Sequence, residues 1–316
     1  MRRILVTGAL GQIGSELVLA LRARYGSEAV IASDIRLPPL ETLKPGEHFE
    51  FLDSTNARQI QDMVRNRDIG TVYHLAALLS ATSEEKPHVA WELNMGGLYK
   101  VLEVARQHDC KVFFPSSIGA FGPGTPKDNT PQDTIQRPTT MYGVTKVAGE
   151  LLCDYYHRRF AVDTRGLRFP GLISYATPPG GGTTDYAVAI FYDAIRYGRY
   201  TCFLSPGTRL DMMYMPDAIT ALIGVMEADP AKLIHRNSFN VTAMNFTPEE
   251  LAQEIRKHIP DFELRYDVDP VRQAIADSWP NSLDCSAARA EWDFAPQYGL
   301  GAMVEDMLTK LRARIS

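Results

Sequence analysis

The chain has 316 residues, 45% of them hydrophobic, enough for one large or two closely joined globular domains. Its 33 Lys and Arg stand against 38 Asp and Glu, a net charge of -5 with no long run of either sign; this argues against a nucleic-acid or membrane surface and for a small-molecule ligand. Cys110, Cys153, Cys202 and Cys285 lie far apart, with neither metal-ligand spacing nor a disulfide framework, and read as structural thiols in a reducing compartment.

In chain order, the apolar run ending at Val6 gives way to Thr7 and Gly8, after which Ile13, Leu17 and Leu21 recur at helical spacing up to Tyr25. That is a strand, a tight turn and a helix. The alternation continues with AVIAS before Asp34, FEFL before Asp53 and a helix starting at Asn56. TVYHLAA, a long helix over Pro87 to Gln107, and KVFFPSS follow. Short apolar strands without period-2 alternation are covered on both faces, so the expected fold class is α/β: a Rossmann-type, doubly wound parallel sheet with helices on both faces. Ligand is then expected beyond the carboxyl ends of the strands. After about Phe169, turn signals crowd together in RFPGLISYATPPGGGTTDY. Helices are expected near Thr184 to Arg196, Pro216 to Glu227 and Met303 to Arg312. The expected organisation is a dinucleotide-binding domain over 1–169 and a smaller C-terminal α/β substrate lobe over 170–316, closely packed and interleaved, with a cleft between them. No apolar segment is long enough to span a bilayer, and a first strand at Arg2 or Arg3 leaves no room for a targeting segment. A cytoplasmic location is the expectation.

TGALGQIG joins the first strand to the first helix, where a dinucleotide pyrophosphate meets free backbone amides and the positive end of the helix dipole. Side chains at Gly8, Gly11 and Gly14 would hold the phosphates away. Asp34, 20 residues beyond Gly14, is placed to accept hydrogen bonds from the adenosine ribose, which favours NAD over NADP, with Arg36 close by. Asp53 is a candidate for the adenine amino group or, equally, a cap for the helix from Asn56. Tyr142 and Lys146, four apart on a helix, share one face, so an ammonium can stabilise a phenolate that serves as a general base. Lowering a tyrosine from 10 toward 7 takes about 4 kcal/mol. Ser116 and Ser117 close the fifth strand; Ser117 is the better candidate for a hydroxyl that holds a substrate oxygen beside Tyr142. His74 reads as a satisfied buried histidine. With no His-x-x-x-His or Cys-rich set in the chain, no metal is expected.

TGALGQIG, Asp34, HLAA, the serine cluster and YGVTK together resemble the extended short-chain dehydrogenase/reductase family, in order, over about the first 170 residues. LLSATSEEKP, NMGG, PSSIGAFGP, PGLISYATPPGGGTTDYAVAIFYDAI, MMYMPDA and ADSWPNSLDCSAAR are similar to the epimerase-like L-threonine 3-dehydrogenase branch and extend the likeness over nearly the whole chain. The resemblance implies oxidation of L-threonine to 2-amino-3-oxobutanoate with NAD as hydride acceptor, Tyr142 as base, Lys146 as its activator and Ser117 orienting the hydroxyl. Many members carry threonine where Ser117 stands, a departure that keeps the hydroxyl and loses a methyl. The cofactor candidates are then Gly8, Gly11, Gln12, Ile13, Gly14, Asp34, Asp53, Leu75, Ala76, Ala77, Asn94, Tyr142, Lys146 and Phe169. The substrate candidates are Ser80, Ser117, Tyr142, Gly182, Thr183, Thr184 and Trp279, with the choice between Thr183 and Thr184 open. The glycines 180–182 read as a mobile flap. A homodimer through the helix of Tyr142, with Leu151, Leu152 and Tyr155 on its outer face, is also implied, although the same apolar residues suit a core.

Two other functions fit parts of this pattern. A nucleotide-sugar 4-epimerase shares the fold, the NAD site and the Ser/Tyr/Lys set, but needs a basic diphosphate pocket, toward which Arg209 is one available charge. A non-catalytic dinucleotide sensor would have no use for a tyrosine and lysine on one helix face beside a serine.

Overall fold

The structure, a computed structural model, describes residues 2–39, 42–44, 46–180 and 182–315. Contacts divide the chain into two compact units: Met1–Ala120, Thr139–Arg168 and Leu222–Phe239 make the first, and Phe121–Pro138, Phe169–Ala221 and Asn240–Ser316 the second.

The first unit is built on the expected alternation. Strand β1 (Arg3–Thr7) leads into helix α1 (Gln12–Tyr25), then β2 (Val30–Asp34), β3 (His48–Phe51), α2 (Ala57–Asn66) and β4 (Ile69–His74). Asn56 caps α2, its side chain accepting from the Gln59 amide, as its position before the first apolar turn leads one to expect. Next come α3 (Ser80–Glu85), α4 (Pro87–Trp91), α5 (Gly97–His108), β5 (Lys111–Ser117), α6 (Met141–Phe160) and β6 (Thr164–Phe169). The helix expected without interruption over Pro87 to Gln107 instead contains a π-helical turn, Glu92–Gly96, between α4 and α5. The Asn94 side chain leaves this turn to grip the Leu78 backbone, accepting from its amide and donating to its carbonyl. π-turns are commonly placed where a side chain must be aimed at a site, and periodicity alone does not reveal them.

The sheet runs in the order β10-β6-β5-β4-β1-β2-β3, where β10 is Phe239–Asn240. Pairing is parallel from β5 through β4, β1 and β2 to β3. The chain moves outward in one direction from β1 and in the other from β4, so their carboxyl ends form the switch point at which such sheets bind ligands. Leu5, Val72, Val112 and Phe114 of the strands pack with Ile60 and Val64 of α2, Leu98 and Val101 of α5, and Cys153 and Tyr156 of α6. Leu152 packs against this cluster too, whereas Leu151 and Tyr155 on the same helix are 63% and 54% exposed. Of the three residues read as an outer face, Leu152 therefore belongs with the core, one position around the helix being enough to turn it inward.

The second unit holds β7 (Gly171–Ile173), α7 (Tyr186–Tyr197), β8 (Arg199–Cys202) and β9 (Leu210–Tyr214), with α8 (Met215–Glu227) following β9. It continues with β11 (Met244–Phe246), α9 (Pro248–Arg256), β12 (Glu263–Tyr266), α10 (Pro270–Asp277), α11 (Ser286–Trp292) and α12 (Leu300–Ile315). Strand β9 pairs in parallel with β7 and antiparallel with β11, and β12 pairs with β8. Thr247 and Glu250 form a reciprocal capping box at the start of α9. All four cysteines are buried free thiols. Among the described residues, no helix is long and apolar enough to cross a membrane.

Candidate active site

The glycine turn after β1 is shaped by contacts that only glycine permits. Gly8 has φ +68°, in the left-handed region, and a Cβ there would lie 2.8 Å from the Ala76 amide nitrogen. A Cβ on Gly14 would lie 2.3 Å from the Gly8 carbonyl oxygen, so the first turn of α1 presses directly onto the loop. The loop is pinned to the end of β4, where the Leu75 amide donates to the Thr7 carbonyl and the Ala76 amide to the Thr7 hydroxyl. Helix α1 begins at Gln12 behind Gly11, with no side-chain cap and no acidic residue in its first turn. An uncapped helix start behind a glycine loop offers unpaired amides and a positive dipole end to an anion.

Asp34, 6% exposed at the end of β2, is aimed at that loop. Its carboxylate accepts from the Leu10 amide at 3.1 Å and from the Arg36 amide and Nε at 3.1 and 3.3 Å. The residues present therefore fit a dinucleotide: an amide cradle for the pyrophosphate, and an oriented carboxylate on the adjacent strand for ribose hydroxyls. Asp53, by contrast, turns its carboxylate onto the Thr55 amide and hydroxyl. Capping of α2 falls to Asn56 instead. His74 is buried with Nδ1 3.0 Å from the Thr7 hydroxyl. Burial first, and Lys146 second, hold its imidazole down to about 4, so it is neutral at physiological pH. Asn94 also donates to the Thr145 hydroxyl on α6, joining the loop after β4 to the Tyr142 helix.

The helix carrying Tyr142 and Lys146 is fixed at its start. The Thr140 hydroxyl accepts from the Gly143 amide, and Glu84 on α3 accepts from the Met141 amide at 2.6 Å. This second bond ties α3, which begins at Ser80, to the start of α6. Ser117 lies beside Tyr142, with its hydroxyl hydrogen-bonded to the phenol and accepting from the Gly119 amide. Lys146 stands on the same helix face, its Nζ 5.2 Å from the centre of the Tyr142 ring and 5.0 Å from that of Phe114, donating to the Pro115 carbonyl at 2.7 Å. Burial pushes the Tyr142 phenol up to about 12, against the lowering effect of the Ser117 hydrogen bond. Burial also draws the Lys146 ammonium down to about 8, against the Glu150 carboxylate, which favours its charge. In the chain alone, then, Tyr142 lies above its ordinary value, so a phenolate at neutral pH needs further positive charge beside it.

Ser116 points away from this group and donates to the Glu150 carboxylate. Glu150, one turn beyond Lys146, is held by Arg168 of β6 through Nε at 3.1 and 3.2 Å and Nη2 at 2.9 Å, all buried. Neither residue is among the candidates read from the sequence, although Glu150 continues the i, i+4 spacing of Tyr142 and Lys146, and Arg168 stands between Leu167 and Phe169 in a buried strand.

In the second unit, Thr183 is buried and Thr184 half-buried in a 3₁₀ turn, Thr183–Asp185, against which α10 packs; Trp279, 7% exposed, follows α10. Within the glycine run, Gly181 lies outside the described residues. The Gly180 and Gly182 amides both donate to Asp185, at 2.6 and 2.8 Å, so these two positions are tethered. Phe169, at the end of β6, is buried. Among the described residues, no group of three or more His, Cys, Asp and Glu side chains converges as a metal centre would require.

Known proteins are similar to this chain over nearly its whole length. It is 58% identical to an L-threonine dehydrogenase from Clostridium difficile whose solved structure superposes with a TM-score of 0.97, covering 99% of this chain and 98% of that one. It is 52% identical to the GalE-like L-threonine dehydrogenase from Cupriavidus necator in its holo form, with a TM-score of 0.95 and coverage of 98% and 99%. A curated relative, an uncharacterized epimerase/dehydratase of Staphylococcus saprophyticus, is 57% identical over 99% of this chain and 98% of its own length. Residues 4–241 match the NAD dependent epimerase/dehydratase family, and the chain, an NAD-binding enzyme on a Rossmann-type fold, belongs to it.

Proposed function

We propose that this enzyme oxidises L-threonine at its hydroxyl-bearing carbon to 2-amino-3-oxobutanoate. The observation that carries the reading is Ser117, Tyr142 and Lys146 gathered beyond the carboxyl ends of the strands in a chain more than half identical to L-threonine dehydrogenases. NAD supplies the two-electron acceptor, held by the Gly8 to Gly14 turn with Asp34 on the ribose. Ser117 orients the threonine hydroxyl, and Tyr142 Oη takes its proton as the hydrogen on carbon leaves with the electron pair. Lys146 holds the resulting charge distribution in place. Its ammonium is fixed over the phenol ring by the Pro115 carbonyl, a donor arrangement that costs no reorganisation during the step. Ser80, Gly182, Thr183, Thr184 and Trp279 are proposed to hold the amino-acid end, since hydroxyls and backbone amides suit a zwitterion.

The epimerase alternative is weakened by Arg209, the cation that a diphosphate pocket would recruit. Its guanidinium is committed to Glu250 at 2.6 Å and to Asn245 Oδ1 at 3.1 Å. The test is absorbance at 340 nm with L-threonine and NAD, against NADP and UDP-galactose controls. NADH should form with threonine and NAD, with NADP slower by at least roughly tenfold because Asp34 faces the added phosphate. No signal with threonine from protein that carries tightly bound NAD would favour the epimerase.

We further propose a homodimer formed through α4, α5 and α6, which pack together in the first unit. Val89, Trp91, Tyr99, Leu151 and Tyr155 on these helices are 47–63% exposed, an apolar display larger than scattered surface residues require. Light scattering should give about twice the 35.2 kDa chain mass, and Leu151→Glu should return the monomer while leaving Tm nearly unchanged. A wild-type monomer would rule this out. The four buried thiols fit a reducing compartment, and we infer a cytoplasmic location.

A further inference from the structure

We propose that Glu150 is a positioning residue for the oxidation: buried one helical turn beyond Lys146 and held in place by Ser116 and Arg168, it is the counter-charge that keeps the Lys146 ammonium beside Tyr142. The inference rests on the reading of Tyr142 and Lys146 as the reacting pair.

The geometry divides two adjacent serines between two tasks. At the end of β5, Ser117 bonds to Tyr142 and Ser116 to Glu150, so one strand end holds both the phenol and the carboxylate that flank Lys146 along α6. Glu150 is 4% exposed and Arg168 5%, and a carboxylate buried so deeply persists only with charged donors. Arg168 supplies them through three contacts of 2.9 to 3.2 Å, entering from β6. The ionisable groups around Lys146 are Tyr142 and Glu150 on its own helix and His74 on β4, with Arg168 behind Glu150. His74 is neutral at physiological pH and Tyr142 becomes anionic only when it gives up its proton. Glu150 is therefore the standing negative charge that opposes the desolvation of Lys146. Without it, the lysine would lose its proton at lower pH still, and the forming phenolate would lack its counter-charge over more of the pH range.

The test reads Lys146 directly in cofactor-free protein. With ¹³C-labelled lysine, the Lys146 ε-carbon resonance, assigned by its loss in Lys146→Arg, should titrate near 8 in the wild type. In Glu150→Gln the midpoint should fall by about one unit or more. Because that variant leaves Arg168 buried without its partner, Glu150→Gln/Arg168→Met serves as the neutral pair of similar volume, with a smaller shift in the same direction expected. In the loaded enzyme, the alkaline fall of kcat should move to lower pH by a similar interval, with the KM for threonine within about twofold of wild type. A Lys146 midpoint unchanged in both variants, whatever their Tm, overturns the proposal and leaves the pair a structural one. Wild-type turnover in Tyr142→Phe would instead remove the underlying reading, even with the Lys146 shift observed.

Discussion

Tyr142→Phe should lose about 10²- to 10⁴-fold in kcat while binding NAD as the wild type does, because only the proton acceptor is removed and the ring that packs beside Lys146 remains. Stability should change little, since the phenol's partner Ser117 retains the Gly119 amide as a donor. The pH profile carries the same argument with a definite sign. Burial holds the phenol up to about 12, so activity should rise with pH as the phenolate form becomes populated. Removing positive charge should push that rise to higher pH. Lys146→Met is therefore expected to shift the ascending limb upward and to cost most at neutral pH, with activity partly recovered in alkaline buffer. A Tyr142→Phe enzyme with near wild-type turnover, or a Lys146→Met profile parallel to the wild type, would remove Tyr142 from the role of base.

The second large effect concerns the loop that meets the cofactor. In Gly14→Ala the new methyl would sit 2.3 Å from the Gly8 carbonyl oxygen and 2.8 Å from the Ala9 Cα, both backbone atoms that cannot swing aside. Relieving the overlap forces α1 away from the turn, an overpacking strain of about 1–3 kcal/mol. If the strain is relieved by moving the turn, it appears as a loss of NAD affinity of roughly tenfold to a hundredfold. Calorimetric titration with NAD and the Tm of the cofactor-free protein separate the two routes. Unchanged affinity together with an unchanged Tm would mean that the close approach of α1 to the loop is not what the site requires.

The Glu150 network bears on how a buried phenol becomes a base. Desolvation works against both members of the pair, raising Tyr142 and lowering Lys146, so proximity alone does not activate the tyrosine. A second counter-charge one turn deeper, itself held by an arginine from the neighbouring strand, lets the lysine stay charged in a dry site.

By itself the sequence determined the parallel α/β sheet, the glycine turn and the Tyr142–Lys146 helix, because each is local: strand, turn and helix follow from periodicity and from residues within about ten positions of one another. It also determined that Asp34 ends the strand next to the turn, since a βαβ unit brings those two strand ends together. Tertiary structure decided what depends on distant partners. The π-turn at Glu92–Gly96 arises because Asn94 reaches a backbone 16 residues away, and Asp53 is drawn to Thr55 while Asn56 takes the cap. Ser116 and Ser117, chemically identical neighbours, acquire different tasks because β5 ends against α6, where Ser116 meets Glu150 and Ser117 meets Tyr142 about two helical turns earlier. Two units made of alternating chain segments also arise from packing alone, since a chain that returns several times to the same core carries no boundary in its composition.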